Sequence, residues 1–167
     1  DCDPALIALV REWLGRRQNQ YAPMAGVPAL RLELSRSIER LYGARYDPDT
    51  EITVTAGATE ALFSSITALV HPGDEVLLFE PCYDSYVPAV RLAGGVPLFA
   101  TLRHPDYVID WDEVRRKLSP RTRVVVLNSP HNPTGMVTGE PDVRQLAALL
   151  DGSPVVVISD EVYEHLV

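Results

Sequence analysis

The chain has 167 residues, a mass of 18.4 kDa, 46% hydrophobic and 23% charged residues. That composition excludes disorder, a collagen-like helix and a coiled coil, and at this length about two-thirds of the unfolded surface can be buried. The net charge of −8 argues against non-specific binding to nucleic acid or anionic membranes, while a local pocket can still take an anionic ligand.

Asp3-Pro4 reads as an N-cap followed by a first-turn proline, and predicts a helix through about Arg17. A polar stretch over residues 18–26 follows. Pro28 then opens a second helix with Leu30, Leu34, Ile38 and Leu41 on one face and Gly43 as its stop. Asp47-Pro48-Asp49 is a turn. The next stretch predicts strand 51–55, helix 58–70, the turn His71-Pro72-Gly73-Asp74, strand 75–79, helix 85–93 and strand 96–100 after Gly94-Gly95. Helix 111–117, strand 123–127, a loop to 140, helix 141–150, a turn over 151–154 and strand 155–159 complete the series.

Val124-Val125-Val126-Leu127 and Val155-Val156-Val157-Ile158 are continuous apolar runs, which predicts strands covered on both faces. The expected fold class is therefore α/β, a three-layer sandwich around a mostly parallel sheet. No run reaches membrane-spanning length and no secretory apolar segment opens the sequence, which begins with Asp rather than Met. Cys2 and Cys82 form neither a metal spacing nor a disulfide framework, and are expected to be reduced thiols in a cytoplasmic protein.

Ligands of such sheets sit beyond the carboxyl ends of the strands, which singles out residues 56–60, 80–84, 128–135 and 160–163. Gly57-Ala58-Thr59-Glu60 follows a strand and opens a helix: it is either a phosphate cradle or a tight turn capped by threonine. In Glu80-Pro81-Cys82-Tyr83-Asp84-Ser85-Tyr86, Tyr83 either stacks on a planar ligand or packs between layers. Asn128-Ser129-Pro130-His131-Asn132-Pro133-Thr134-Gly135 is rich in turn formers. There Asn132 is positioned to donate its amide to a ligand oxygen, or else belongs to a plain loop. His131 is expected on the surface, since no second histidine stands at metal spacing. In Ser159-Asp160-Glu161-Val162-Tyr163, an aspartate ending an apolar strand demands a cationic or donor partner. Asp160 and Glu161 point to different sides of a strand, so no metal pair is expected.

Taken together, GATEAL, EPCYDSY, NSPHNPTG and SDEVYEHLV resemble the fold-type I, class I/II pyridoxal-phosphate aminotransferases, most closely the methionine and kynurenine–oxoglutarate branch. Asn19-Gln20-Tyr21-Ala22-Pro23, Gly26 and Leu30-Arg31 fit the same branch, and the likeness spans nearly the whole chain. The resemblance implies pyridoxal 5'-phosphate as cofactor. Gly57, Ala58 and Thr59 are then expected at its phosphate, Tyr83 on its ring, and Asn132 and Tyr163 at its 3' oxygen. Asn128 supports them, and Asp160 pairs with the ring nitrogen. Tyr21 is expected to reach the phosphate of a neighbouring subunit in a homodimer.

The resemblance also implies residues 1–45 as an N-terminal helical arm and dimer-contact segment, and residues 46–167 as part of a cofactor-binding large domain. The family's Schiff-base lysine and a small C-terminal domain are expected downstream of Val167. The chain's single lysine, Lys117, lies in a charged helical cluster and is expected at the surface, so no catalytic residue is assigned within the chain. The expected substrates are an amino acid (methionine, aromatic or kynurenine-like) and a 2-oxo acid. A carbon–sulfur β-lyase on the same scaffold and a lysine-less cofactor-binding module are the alternatives. Nucleic acid and membrane are not expected partners.

Overall fold

The computed structural model describes residues 2–16 and 20–166, which group into two compact units, Asp1–Thr55 and Ala56–Val167. Arg17, the expected end of the first helix, and Asn19 lie outside the described residues.

In the first unit, helix α1 (Pro4–Gly15) starts where the Asp3 carboxylate accepts the Ala5 N–H at 2.7 Å, with proline in the first turn. None of its residues is buried; Leu6, Leu9, Val10 and Trp13 are exposed. Helix α2 (Pro28–Tyr42) stops as expected at Gly43, whose φ of 71° is readily reached only by glycine. Its predicted apolar face is largely open: Leu30, Leu34 and Leu41 are exposed, and the buried side chain of α2 is Arg31, at 6% exposure. A buried guanidinium needs acceptors. Arg31 Nε donates to the Gly26 carbonyl at 3.2 Å, Nη1 donates to the Pro48 carbonyl, and Asp49 pairs with it at 3.3 Å. This one side chain thus ties the start of α2 to the turn at 48–49.

The strand expected at 51–55 is not formed. Residues 48–51 turn, and residues 52–55 are not in strand conformation in the described structure. The Val54 N–H instead donates to the Ala25 carbonyl at 3.0 Å, a loop contact rather than a ladder. An apolar pattern gives a strand only where another strand is alongside to accept its amides.

The second unit is the predicted sandwich. Among the described residues its sheet has four strands: β1 (Glu75–Glu80), β2 (Val96–Thr101), β3 (Thr122–Asn128) and β4 (Val156–Asp160), in the order β2-β1-β3-β4 and all parallel. Helices α3 (Ala58–Leu69) and α4 (Tyr86–Leu92) cover one face, where Ile66, Val90, Val76, Leu78, Val124 and Val126 meet. Helices α5 (Trp111–Lys117) and α6 (Glu140–Leu150) cover the other, where Val114 and Leu146 pack on Leu77, Phe79, Val125 and Leu127. Successive residues of β1 and β3 serve opposite faces, which is why both strands read as unbroken apolar runs. The same inference fails for β4: Val157 is exposed, because this strand is an edge of the described sheet and only part of it is covered.

At the amino ends of the strands, Glu75 is buried and fully engaged. Ser119 Oγ donates to its Oε2 at 2.5 Å, and Arg121 donates to Oε1 through Nε at 2.9 Å and through Nη2. The Ser119 hydroxyl first, then Arg121, hold its carboxyl below the ordinary value of 4.5.

Two outcomes follow from these contacts. Gly26 has a φ of 99°, and an added Cβ would stand 2.6 Å from Val54 Cβ. Gly26→Ala is therefore expected to destabilise the chain by about 2 kcal/mol or more in urea unfolding. Because its folded-state pKa is depressed, Glu75 contributes stability fully above its unfolded value of about 4.5 and loses it as pH falls toward the lower folded value. Glu75→Gln is expected to cost about 1–3 kcal/mol at pH 7 and progressively less below pH 4.5, read from unfolding curves across pH.

Candidate functional site

The site starts from a register. Strands β3 and β4 pair so that Asn128 stands opposite Asp160, which places two polar side chains together where both strands end. The Asn128 carboxamide then spans two elements: its Nδ2 donates to the Asp160 carbonyl at 2.9 Å, and its Oδ1 accepts the Asn132 N–H at 2.7 Å. The loop after β3 is thereby stitched to the end of β4. Ser129 N–H adds a third bond, to the Asp160 carbonyl at 3.0 Å.

Around this junction lies a pocket of about 260 Å³, lined by Ala58, Thr59, Leu62, Tyr83, Asn128, Asn132, Asp160, Val162 and Tyr163. Seven of these are residues singled out from sequence, drawn from all four strand-end segments. Gly57 immediately precedes the wall formed by Ala58 and Thr59. Its φ is 86°, and an added Cβ would meet nothing within 4 Å, so glycine is needed there for backbone conformation while space remains open beside it. The N-cap residue of α3 is Gly57, which has no capping side chain of its own, and the first turn of this twelve-residue helix brings the positive end of its dipole to the pocket wall. Glu60 folds back to accept the Ala56 N–H, which steadies this turn.

The same pocket is lined by a buried acid. Asp160 is 7% exposed, and its partner is one that sequence reading did not assign: Tyr86 donates its hydroxyl to Asp160 Oδ2 at 2.5 Å. Val162 N–H reaches Oδ1 at 3.3 Å. Burial first, then the bond to Asp160, push the Tyr86 phenol far above its ordinary value, so it remains a protonated donor. Tyr86 follows Tyr83 by three residues, one helical turn, and their rings meet edge to face with centroids 5.7 Å apart. Tyr83 is half-buried beside the pocket, and its hydroxyl lies 3.5 Å from Thr59 Oγ1. The spacing Tyr83-Asp84-Ser85-Tyr86 was the available signal for a second tyrosine at the site. Leu62, one turn after Ala58 on α3, was the corresponding signal for an apolar wall.

His131 corrects an expectation. It is 4% exposed rather than a surface residue, with Nδ1 2.8 Å from Thr134 Oγ1 and its backbone N–H on the Met136 carbonyl at 2.8 Å. Burial lowers its pKa below 6.5, opposed by a hydrogen bond to the Phe79 backbone. The loop folds inward over the end of the sheet and takes the imidazole with it. Glu161 is exposed and accepts a bond from Ser159, while Asp160 beside it is buried; the two acids do face apart. Among the described residues, no group of three or more His, Cys, Asp or Glu could hold a metal ion. Lys117 is not among the pocket residues; it pairs with Glu113 at 3.5 Å on α5. Tyr21, in the first unit, is fully exposed.

Comparison with known proteins gives the arrangement a context. Residues 4–167 match the family Aminotransferase class I and II. A methionine aminotransferase of Escherichia coli K12 is 53% identical over 148 residues, which cover 89% of this chain and 38% of the relative. A kynurenine–oxoglutarate transaminase 3 of Mus musculus is 42% identical, over 89% of this chain and 35% of the relative. The crystal structure of the E. coli protein YbdL, identified with a methionine aminotransferase function, superposes with a TM-score of 0.97 at 49% identity. It covers 99% of this chain and 44% of that one. The chain thus spans less than half the length of these relatives. Members of the family use pyridoxal 5'-phosphate as cofactor. On the match over residues 4–167 and the identity to these relatives, the chain belongs to the class I and II aminotransferases.

Proposed function

We propose that the pocket binds pyridoxal 5'-phosphate, and that the protein containing this chain moves an amino group between an L-amino acid and a 2-oxo acid. The observation that carries this reading is the meeting, in one pocket, of a helix N-terminus and a buried carboxylate with an aromatic ring at its wall. Those groups suit a flat heterocycle with a phosphate at one end and a protonatable nitrogen at the other, so the donor set fits the cofactor. Gly57, Ala58 and Thr59 would hold the phosphate, Tyr83 would stack on the ring, and Asn132 and Tyr163 would bond its 3' oxygen. Asn128 would keep Asn132 in place through the bond it already makes to that residue's N–H.

Asp160 has the central part. Bound pyridoxal phosphate supplies an electron sink for the carbon from which a substrate proton leaves. Asp160 would keep the ring nitrogen protonated, and its burial makes that charge pairing stronger than it would be in water. Leu62 and Val162 form the apolar part of the pocket wall.

The substrate reading keeps the sequence expectation of methionine, or an aromatic or kynurenine-like amino acid, as donor, and is supported by the methionine and kynurenine aminotransferases named above. The active unit is read as a homodimer, with residues 1–45 as the contact arm and the exposed Tyr21 reaching the partner's phosphate site. The open apolar residues of α1 support that reading, since soluble chains rarely leave such a stripe uncovered. A cytoplasmic setting is part of the proposal and is supported by two free cysteines, Cys2 and Cys82.

The natively expressed protein, incubated with pyridoxal phosphate and reduced with borohydride, is expected to gain the mass of one reduced cofactor on a lysine other than Lys117. Absence of any adduct would replace the enzyme with a binding module. In the same protein, Asp160→Ala is expected to lower turnover by about a hundredfold or more while cofactor affinity falls by about tenfold. Near-normal turnover in that variant would sink the ring-nitrogen assignment.

A further inference from the structure

A buried carboxylate that must meet a ligand at one angle has to be kept from turning. Asp160 could rotate about its side-chain bonds, yet each of its oxygens meets a donor: Tyr86 hydroxyl on Oδ2 at 2.5 Å and Val162 N–H on Oδ1 at 3.3 Å. The Val162 contact is long and comes from only two residues away, so it moves with the end of β4. The Tyr86 contact comes from a different element, 74 residues earlier in the chain. Tyr86 is 2% exposed, begins α4, and is packed in the core cluster with Leu62, Val76, Ala89 and Val124. Its ring position is therefore set by the core, and the hydroxyl has little freedom.

We propose that Tyr86 is a positioning residue of this site: its hydroxyl fixes the Asp160 carboxylate in the orientation that faces the cofactor ring. The proposal rests on the reading of Asp160 as the ring-nitrogen partner. Tyr86 does not line the pocket, so it acts through Asp160 and not by touching the ligand. A hydroxyl that keeps its proton suits this task, because it remains a donor to Oδ2 and places no second negative charge beside Asp160. The edge-to-face contact with Tyr83 belongs to the same anchored ring.

The test is a double-mutant cycle on the natively expressed protein, using Tyr86→Phe, Asp160→Ala and the double variant. Each is stripped of cofactor, and the dissociation constant for pyridoxal phosphate is measured by fluorescence titration. Tyr86→Phe keeps the ring and removes only the donor. It is expected to weaken binding by about tenfold when Asp160 is present and by less than about twofold when residue 160 is alanine. Equal losses in both backgrounds would show that Tyr86 acts by packing alone and would overturn the proposal. No loss on Asp160→Ala by itself would instead overturn the reading of Asp160, a distinct failure.

A second variant guards against misfolding of the phenylalanine form. Replacing Tyr86 with 3-fluorotyrosine preserves the ring volume but makes the hydroxyl a stronger donor. It is expected to shift the pH midpoint of the bound cofactor's absorbance; an unchanged midpoint would count against the proposal.

Discussion

The carboxylate of Asp160 is the most demanding group in the second unit, because an ionised acid removed from water is unfavourable by several kcal/mol unless donors reach it. Meeting that demand involves much of the fold. The β3–β4 register sets Asp160 beside Asn128, and the Asn128 carboxamide ties the backbone of Asp160 to the loop containing Asn132. Helix α4 must then lie where Tyr86 can donate to Oδ2. The same placement brings Tyr83 to the pocket wall, so sheet register and helix packing together supply what this one buried carboxylate needs.

A second buried carboxylate, Glu75, shows what distinguishes a structural acid from a functional one. It sits at the amino ends of the strands, where Ser119 and Arg121 take up both of its oxygens. Asp160, at the carboxyl ends, receives a neutral hydroxyl and a long backbone contact, with no guanidinium, and it borders an open pocket. Neutral donors leave the negative charge available to a cationic ligand atom, whereas a salt bridge would neutralise it. The two acids sit at opposite ends of a parallel sheet, and the end beyond the carboxyl termini is where such sheets take ligands.

Most elements of the second unit were legible because each was specified locally. The turn His71-Pro72-Gly73-Asp74 before β1 and Gly94-Gly95 before β2 are visible in the residues themselves, and the structure adds Asp110 as the cap of α5, accepting the Asp112 and Glu113 N–H groups. The failures share one cause. Residues 51–55 read as a strand, yet Val54 bonds to Ala25 in a loop. His131 reads as a surface residue, yet its loop folds inward. Val157 belongs to an apolar run, yet it is exposed at the sheet edge. In each case the outcome depends on what lies alongside, and one-dimensional pattern contains no neighbour. The apolar faces of α1 and α2 belong to the same class, with Arg31 occupying the buried position that periodicity would assign to leucine.

By itself, the order of residues determined the alternation of helices and strands, the parallel α/β class and the four strand-end segments, because turn chemistry, capping and hydrophobic runs act over a few residues. Seven of the nine side chains that line the pocket were also singled out, Asn128 and Tyr163 among them only through the family resemblance. Only the tertiary structure decided that these segments converge, that Asp160 finds its donor in Tyr86, that His131 is buried and that β4 is an edge. Those outcomes depend on contacts between residues tens of positions apart, such as the 74 that separate Tyr86 from Asp160. Strand register and helix placement set them, and neither is a property of any local stretch of chain.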